Sequence, residues 1–131
     1  MGFRDECAVF GIWGDEEAGR MAYLGLYAQQ HRGQESTGIV TLPKTESAPK
    51  HIHHKGMGLV GDVFPEAELE RLHGFAAIGH NRYSTHGESS VNNIQPLTVN
   101  LSAGPLAVAH NGNITNASEL RKKLIQDGSI F

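Results

Sequence analysis

Apolar residues follow two rhythms along this chain. Residues 7–13, Cys-Ala-Val-Phe-Gly-Ile-Trp, form a short apolar run halted by Gly14-Asp15, the pattern of a buried strand and its turn. Between residues 16 and 30 the apolar positions Ala18, Met21, Ala22, Leu24, Tyr27 and Ala28 recur every three or four residues behind Glu16 and Glu17. That spacing predicts an amphipathic helix with acids in its first turn, broken at His31-Arg32-Gly33. Strands are expected over 38–42 and 51–60, joined across a polar loop at 43–50, and a short helix over 66–72. Two more apolar runs, 75–78 and 106–109, finish in the polar clusters His80-Asn81-Arg82 and His110-Asn111-Gly112, so two buried strands should deliver polar groups at their ends. A last helix is expected from Asn116 as N-cap, with Glu119 three residues on, apolar Ala117, Leu120 and Leu124, and Gly128 as its stop. Strands and helices that do not alternate strictly favour an α+β fold over a doubly wound parallel sheet.

Composition narrows the function. The 131 residues suit one domain, and Leu, Ile, Val and Phe make up about 24% of them, enough for a folded core once the whole domain is present. Eleven basic against fourteen acidic residues give a net charge of −3. No basic surplus exists to neutralise a phosphate backbone, which argues against nucleic acid as a partner. No apolar run approaches the roughly 18 residues of a membrane span, and Arg4, Asp5 and Glu6 stand where a signal peptide would be apolar, so neither membrane nor export is expected. A single cysteine suits a reducing compartment, and the cytoplasm is the expected location.

Three patterns promise more than they hold. Gly56-Met-Gly58-Leu-Val-Gly61 has dinucleotide-loop spacing, but Pro65 follows within four residues and Asn81 stands where an acidic ribose ligand belongs, so a glycine-rich strand with turns is the reading. The sequons at Asn100, Asn113 and Asn116 lack the secretory route that glycosylation needs. His51, His53 and His54 bring no third ligand type, so no metal site is assigned to them.

Cys7 is different. Removal of residues 1–6 would leave it as the N-terminal residue, with thiol and α-amine on one skeleton. A free α-amine titrates near pH 8, suitable for a general base beside a thiol nucleophile. Attack on an amide then needs donors for the oxyanion, and Asn111 offers a side-chain NH2 while Gly112 offers an unshielded backbone N–H. The bland alternative is a tight Asn-Gly turn. Arg82, held after an apolar run, suits bidentate capture of a substrate carboxylate, or equally an ordinary structural salt bridge.

Together, Cys7-Ala-Val-Phe-Gly-Ile, His31-Arg-Gly-Gln-Glu-Ser-Thr-Gly38, Gly79-His-Asn-Arg-Tyr-Ser-Thr85 and Ala109-His-Asn-Gly-Asn-Ile-Thr-Asn116 resemble, in order, the motifs of class II glutamine amidotransferase domains. Within that family they are most similar to the glutaminase domain of the amidophosphoribosyltransferases. The resemblance runs from Cys7 to Phe131. It implies a four-layer αββα sandwich of the N-terminal-nucleophile hydrolase kind, present here as an N-terminal fragment. It also implies glutamine hydrolysis that feeds ammonia to phosphoribosyl pyrophosphate in the first committed step of purine synthesis. Cys7 would be the nucleophile, and Asn111 and Gly112 the oxyanion hole. Arg82 would hold the glutamine carboxylate, Thr85 would line that pocket, and Arg32 would lie with its backbone beside the cysteine.

The same resemblance makes residues 1–6 a propeptide and residues 7–131 the amidotransferase segment. It places the family's Ser-Asp-Ser/Thr-Glu motif, whose aspartate binds the glutamine amine, beyond Phe131, and Asp127 is not that residue. The synthase half, with its phosphoribosyl pyrophosphate site, Mg2+ and the iron–sulfur cluster of some members, is expected in the remainder of a longer, homo-oligomeric enzyme, with no cofactor in this segment. His86-Gly87 after Thr85 is reminiscent of the hexosamine-forming branch, which remains the alternative, together with a non-catalytic module that keeps the fold.

Overall fold

The computed structural model describes residues 7–30, 35–44, 50–83, 91–112 and 114–130. A four-stranded antiparallel sheet is its centre. It consists of β1 (Ala8–Trp13), β2 (Ser36–Leu42), β3 (Ile52–Met57) and β4 (Ala76–Arg82), arranged in the order β1-β4-β2-β3. Burial along β2 explains its central place: Ser36 to Thr41 are all buried, including two threonines whose branched side chains suit a pleated surface.

Side-chain alternation divides the sheet into two faces. One carries Phe10, Ile39, Ala77 and Asn81 and is covered by α1 (Ala18–Ala28), α2 (Val60–Val63) and α3 (Glu66–Arg71). Ala18, Ala22, Leu26, Val60, Phe64, Leu69 and Leu72 complete this core. The opposite face is open along part of its length. There Trp13, Val40, Leu42, Ala76 and Ile78 line an apolar groove of about 430 Å³, reached by Ala107 from a separate hairpin. That hairpin is β5 (Leu97–Leu101) paired with β6 (Gly104–Val108). α4 (Ala117–Gln126) follows and is exposed over its whole length.

Several expectations change. The run at 51–60 is a strand only to Met57, because Gly58 (φ +115°) turns the chain and sends Val60 and Val63 into the core as a short helix. α1 begins at Ala18, so its first turn holds no acid; Asp15 Oδ1 instead accepts the Glu17 N–H at 2.8 Å. Asn116 makes no side-chain cap, although its carbonyl accepts the Glu119 and Leu120 N–H groups, and Gly128 (φ +94°) follows the helix as expected. The run at 106–109 is not a buried strand here: Leu106 and Val108 are exposed, and its partner β5 was not foreseen. The loop residues 45–49 and the segment 1–6 lie outside the described residues.

Candidate active site

Register brings the polar groups to one end of the sheet. β1 and β4 run antiparallel with Ala8 opposite Asn81, so Cys7 stands beside the end of β4. Its thiol is half-buried and lies 3.9 Å from the Tyr83 carbonyl oxygen, a distance for a weak S–H donor. Period-two alternation then splits the cluster His80-Asn81-Arg82. Asn81 faces the helical layer, where it accepts from Thr37 Oγ1 at 2.8 Å and donates to the Leu26 carbonyl at 2.9 Å, so it ties two strands to α1 and is structural. His80 and Arg82 fall on the Cys7 side.

Three residues beyond β6, Asn111 reaches the same place: its side-chain NH2 donates to the Cys7 carbonyl oxygen. Gly112 follows, exposed and without a side chain to shield its N–H. The backbone of this segment is held by Gln95, whose Oε1 accepts the His110 N–H at 2.7 Å. Lys55 Nζ anchors the Gln95 stretch in turn by donating to the carbonyls of Ile94 (3.4 Å) and Pro96 (3.1 Å).

Arg82 is held more tightly than a free fork. Its Nε lies 3.7 Å from Glu35 Oε2 and its Nη1 donates to the Asn93 carbonyl at 3.4 Å. Both Glu35 carboxylate oxygens are buried without a hydrogen-bond partner among the described residues, and the Arg82 guanidinium is the counter-charge they face. Of the five N–H donors on the guanidinium, these contacts leave some to face a ligand. The structural salt bridge is therefore present, and it does not use up the guanidinium donors. Arg32 and Thr85 lie outside the described residues.

His80, Glu35 and Gln95 are the residues that sequence reasoning passed over as site groups. His80 is completely buried, and neither ring nitrogen has a hydrogen-bond partner among the described residues. Burial drives its imidazole down to about 4; neighbouring His110 and Arg82 push the same way, while the His110 backbone and the Asn111 side chain act against them. The folded chain therefore keeps His80 neutral where an unfolded histidine is already charged. Stability is complete above pH about 6.5 and is lost as pH falls toward 4, by roughly 3 kcal/mol across the window. Chemical denaturation of the parent and of His80→Gln between pH 7 and 4 should show the parent losing that much more stability than the variant.

The glycine-rich loop does not open a long helix. Its helix spans four residues, and the N–H of Val60 at its start is taken by Gln30 Oε1. Among the histidines, His54 Nδ1 pairs with Glu68 Oε2 at 3.1 Å and His53 is exposed. No group of three or more potential metal ligands occurs among the described residues. The one cysteine of the sequence cannot supply the four thiolates of an iron–sulfur cluster, and the described residues offer no carboxylate cluster for Mg2+. No helix among the described residues is long and apolar enough to cross a membrane.

No family model matches the chain. It is 48% identical over 131 residues to the amidophosphoribosyltransferase of Bacillus subtilis, covering 99% of this chain and 27% of that protein. It is 50% identical over 128 residues to amidophosphoribosyltransferase 2, chloroplastic, of Arabidopsis thaliana, covering 98% of this chain and 22% of the relative. An amidophosphoribosyltransferase of Lacticaseibacillus casei is 47% identical over 131 residues, with 99% and 66% covered. Among solved structures, one described as the allosteric regulatory enzyme of purine biosynthesis superposes with a TM-score of 0.84 at 48% identity over 94% of this chain and 26% of its own. The B. subtilis glutamine phosphoribosylpyrophosphate amidotransferase complexed with ADP and GMP gives 0.81 at 48% identity. The chain spans about a quarter of the length of the first relatives it matches.

Proposed function

Because this chain belongs to the amidophosphoribosyltransferases, as an N-terminal part of their α+β glutaminase domain, we propose that it carries the glutamine-hydrolysing site of such an enzyme. The observation that carries this reading is the convergence of Cys7 and Asn111, 104 residues apart in sequence, through the Asn111 NH2 on the Cys7 carbonyl. A tight Asn-Gly turn alone has no reason to meet the one cysteine of the chain.

The chemistry follows from the groups present. Once the Glu6–Cys7 bond is cut, the α-amine of Cys7 takes the thiol proton as Sγ attacks the γ-carboxamide carbon of glutamine. The carbonyl oxygen becomes an oxyanion that Asn111 and the Gly112 N–H are placed to receive. The C–N bond then breaks, the amine returns its proton to the departing ammonia, and a γ-glutamyl thioester remains. Water adds to the thioester with the amine again as base, and glutamate leaves as the thiol is restored. Arg82 orients the substrate by its carboxylate, and the same proposal assigns glutamine binding to Thr85 and Arg32 as well. Ammonia passes to phosphoribosyl pyrophosphate in the rest of the polypeptide, where it displaces pyrophosphate to give phosphoribosylamine. That half with its Mg2+, the iron–sulfur cluster that some members of the family carry, homo-oligomerisation and a cytoplasmic site of action belong to the same proposal.

The N-terminal mass of the natively expressed full-length protein tests it. A chain that begins at Cys7 and releases glutamate from glutamine is the expected result. A chain that retains residues 1–6 and still hydrolyses glutamine would remove the α-amine from the mechanism. Formation of phosphoribosylamine, rather than a hexosamine phosphate, is the expected product of the whole enzyme.

A further inference from the structure

His80 is the buried group the mechanism above does not use. Strand pairing fixes it from both sides, opposite Val9 on β1 and Gly38 on β2. Its neighbours Gly79 and Asn81 face α1: a Cβ on Gly79 would run into Leu26, and Asn81 donates to the Leu26 carbonyl. The His80 ring therefore stands on the other face, beneath the segment that carries His110 and Asn111. Neither His80 ring nitrogen has a hydrogen-bond partner among the described residues, and the groups that favour its charged form from that side are the His110 backbone and the Asn111 side chain.

Asn111 itself has two chemically different ends. Its NH2 serves the oxyanion only while it points to Cys7, and a half-turn of the amide would present an acceptor to a developing negative charge instead. Backbone anchoring through Gln95 places the residue but does not choose between the two orientations. A donor beneath the amide oxygen does choose. A neutral imidazole with no solvent access and no hydrogen-bond partner among the described residues has one N–H to give.

We propose that His80 is a positioning residue for the oxyanion hole: its ring N–H holds the Asn111 amide with the oxygen toward β4 and the NH2 toward Cys7. This inference rests on the glutaminase reading. His80 touches no substrate; it acts through Asn111.

The test is a double-mutant cycle in the full-length enzyme, read as glutamate release. His80→Phe fills the space and gives no N–H; kcat should fall about tenfold or more, a part of what losing an oxyanion donor costs, with the glutamine KM within about twofold. His80→Gln, which keeps an N–H, should recover most of the loss. In an Asn111→Ala background His80→Phe should change kcat less than about twofold, because the residue it orients is gone. If His80→Phe does not fold by circular dichroism, His80→Met replaces it in the same cycle. Multiplicative losses in the two backgrounds, a change confined to KM, or no rescue by Gln would overturn the assignment. Cys7→Ala run alongside separates the two levels: glutamate release that survives it sinks the glutaminase reading, whereas release that needs Cys7 but ignores His80 sinks only this inference.

Discussion

Replacing Cys7 with alanine should lower glutamate release from glutamine by about 10³-fold or more, the scale seen when a covalent nucleophile is removed. Alanine leaves β1, the α-amine and the Asn111 contact with the residue 7 carbonyl in place, so the loss reports the thiol alone. Blocking the amine should cost as much by a different route. A chain held as the precursor, with residue 6 still bonded to Cys7, has an amide nitrogen there, whose lone pair is delocalised into the carbonyl and cannot accept the thiol proton. The paired expectation is therefore that Cys7→Ala in a processed chain and intact Cys7 in an unprocessed chain are both inactive, and that only the combination of free amine and thiol works. The glutaminase assay with end-group analysis of each preparation reads both. Substantial hydrolysis by either form would place the nucleophile or the base elsewhere.

The parts of this site legible in the sequence were those that announce themselves by residue type. Cys7, Asn111, Gly112 and Arg82 stand out by residue type within ordered short motifs, and the structure brings Asn111 to Cys7. The side-chain period of two was available as well, and would have sent Asn81 to the opposite face from His80 and Arg82. What the sequence concealed was partnership. Glu35 reads as a polar residue in a loop, yet it faces Arg82 as a buried carboxylate, because β2 and β4 are paired through a register no local pattern reveals. Gln95 stands in an undistinguished stretch and owes its role to a Lys55 side chain from across the sheet. β5 was missed for a related reason: Leu97 to Leu101 is largely exposed, so burial imposes no clean alternation on it. The run at 106–109 misled in the other sense. Its apolar residues suit a covered strand, but within this segment the groove between Ala107 and the sheet stays open.

Gly38→Ala should cost activity well out of proportion to its size. A Cβ at this position of β2 would overlap the Gln95 carbonyl oxygen and crowd the Lys55 stem. The lysine stem can swing aside. The carbonyl belongs to a backbone tied down by Lys55 Nζ at Ile94 and Pro96 and by Arg82 at Asn93, so the whole 93–96 stretch must lift off the sheet. Gln95 carries His110 with it through the 2.7 Å bond to the His110 N–H, and Asn111 is the next residue. A methyl group on β2 is thus converted into a shift of the oxyanion donors relative to Cys7. Overpacking of this kind destabilises by about 1–3 kcal/mol, while a displacement near 1 Å at a reacting centre costs about 10²-fold in rate. The expected outcome is a folded variant with kcat for glutamine hydrolysis reduced about 10²-fold. Gly11→Ala is the matched control: on the same face of the sheet, its Cβ would meet only Ile78 Cγ2 at 3.9 Å, an ordinary contact beside the open groove, and both stability and kcat should stay near the parent's. Equal rates for the two variants would mean that the 93–96 stretch does not position the oxyanion hole.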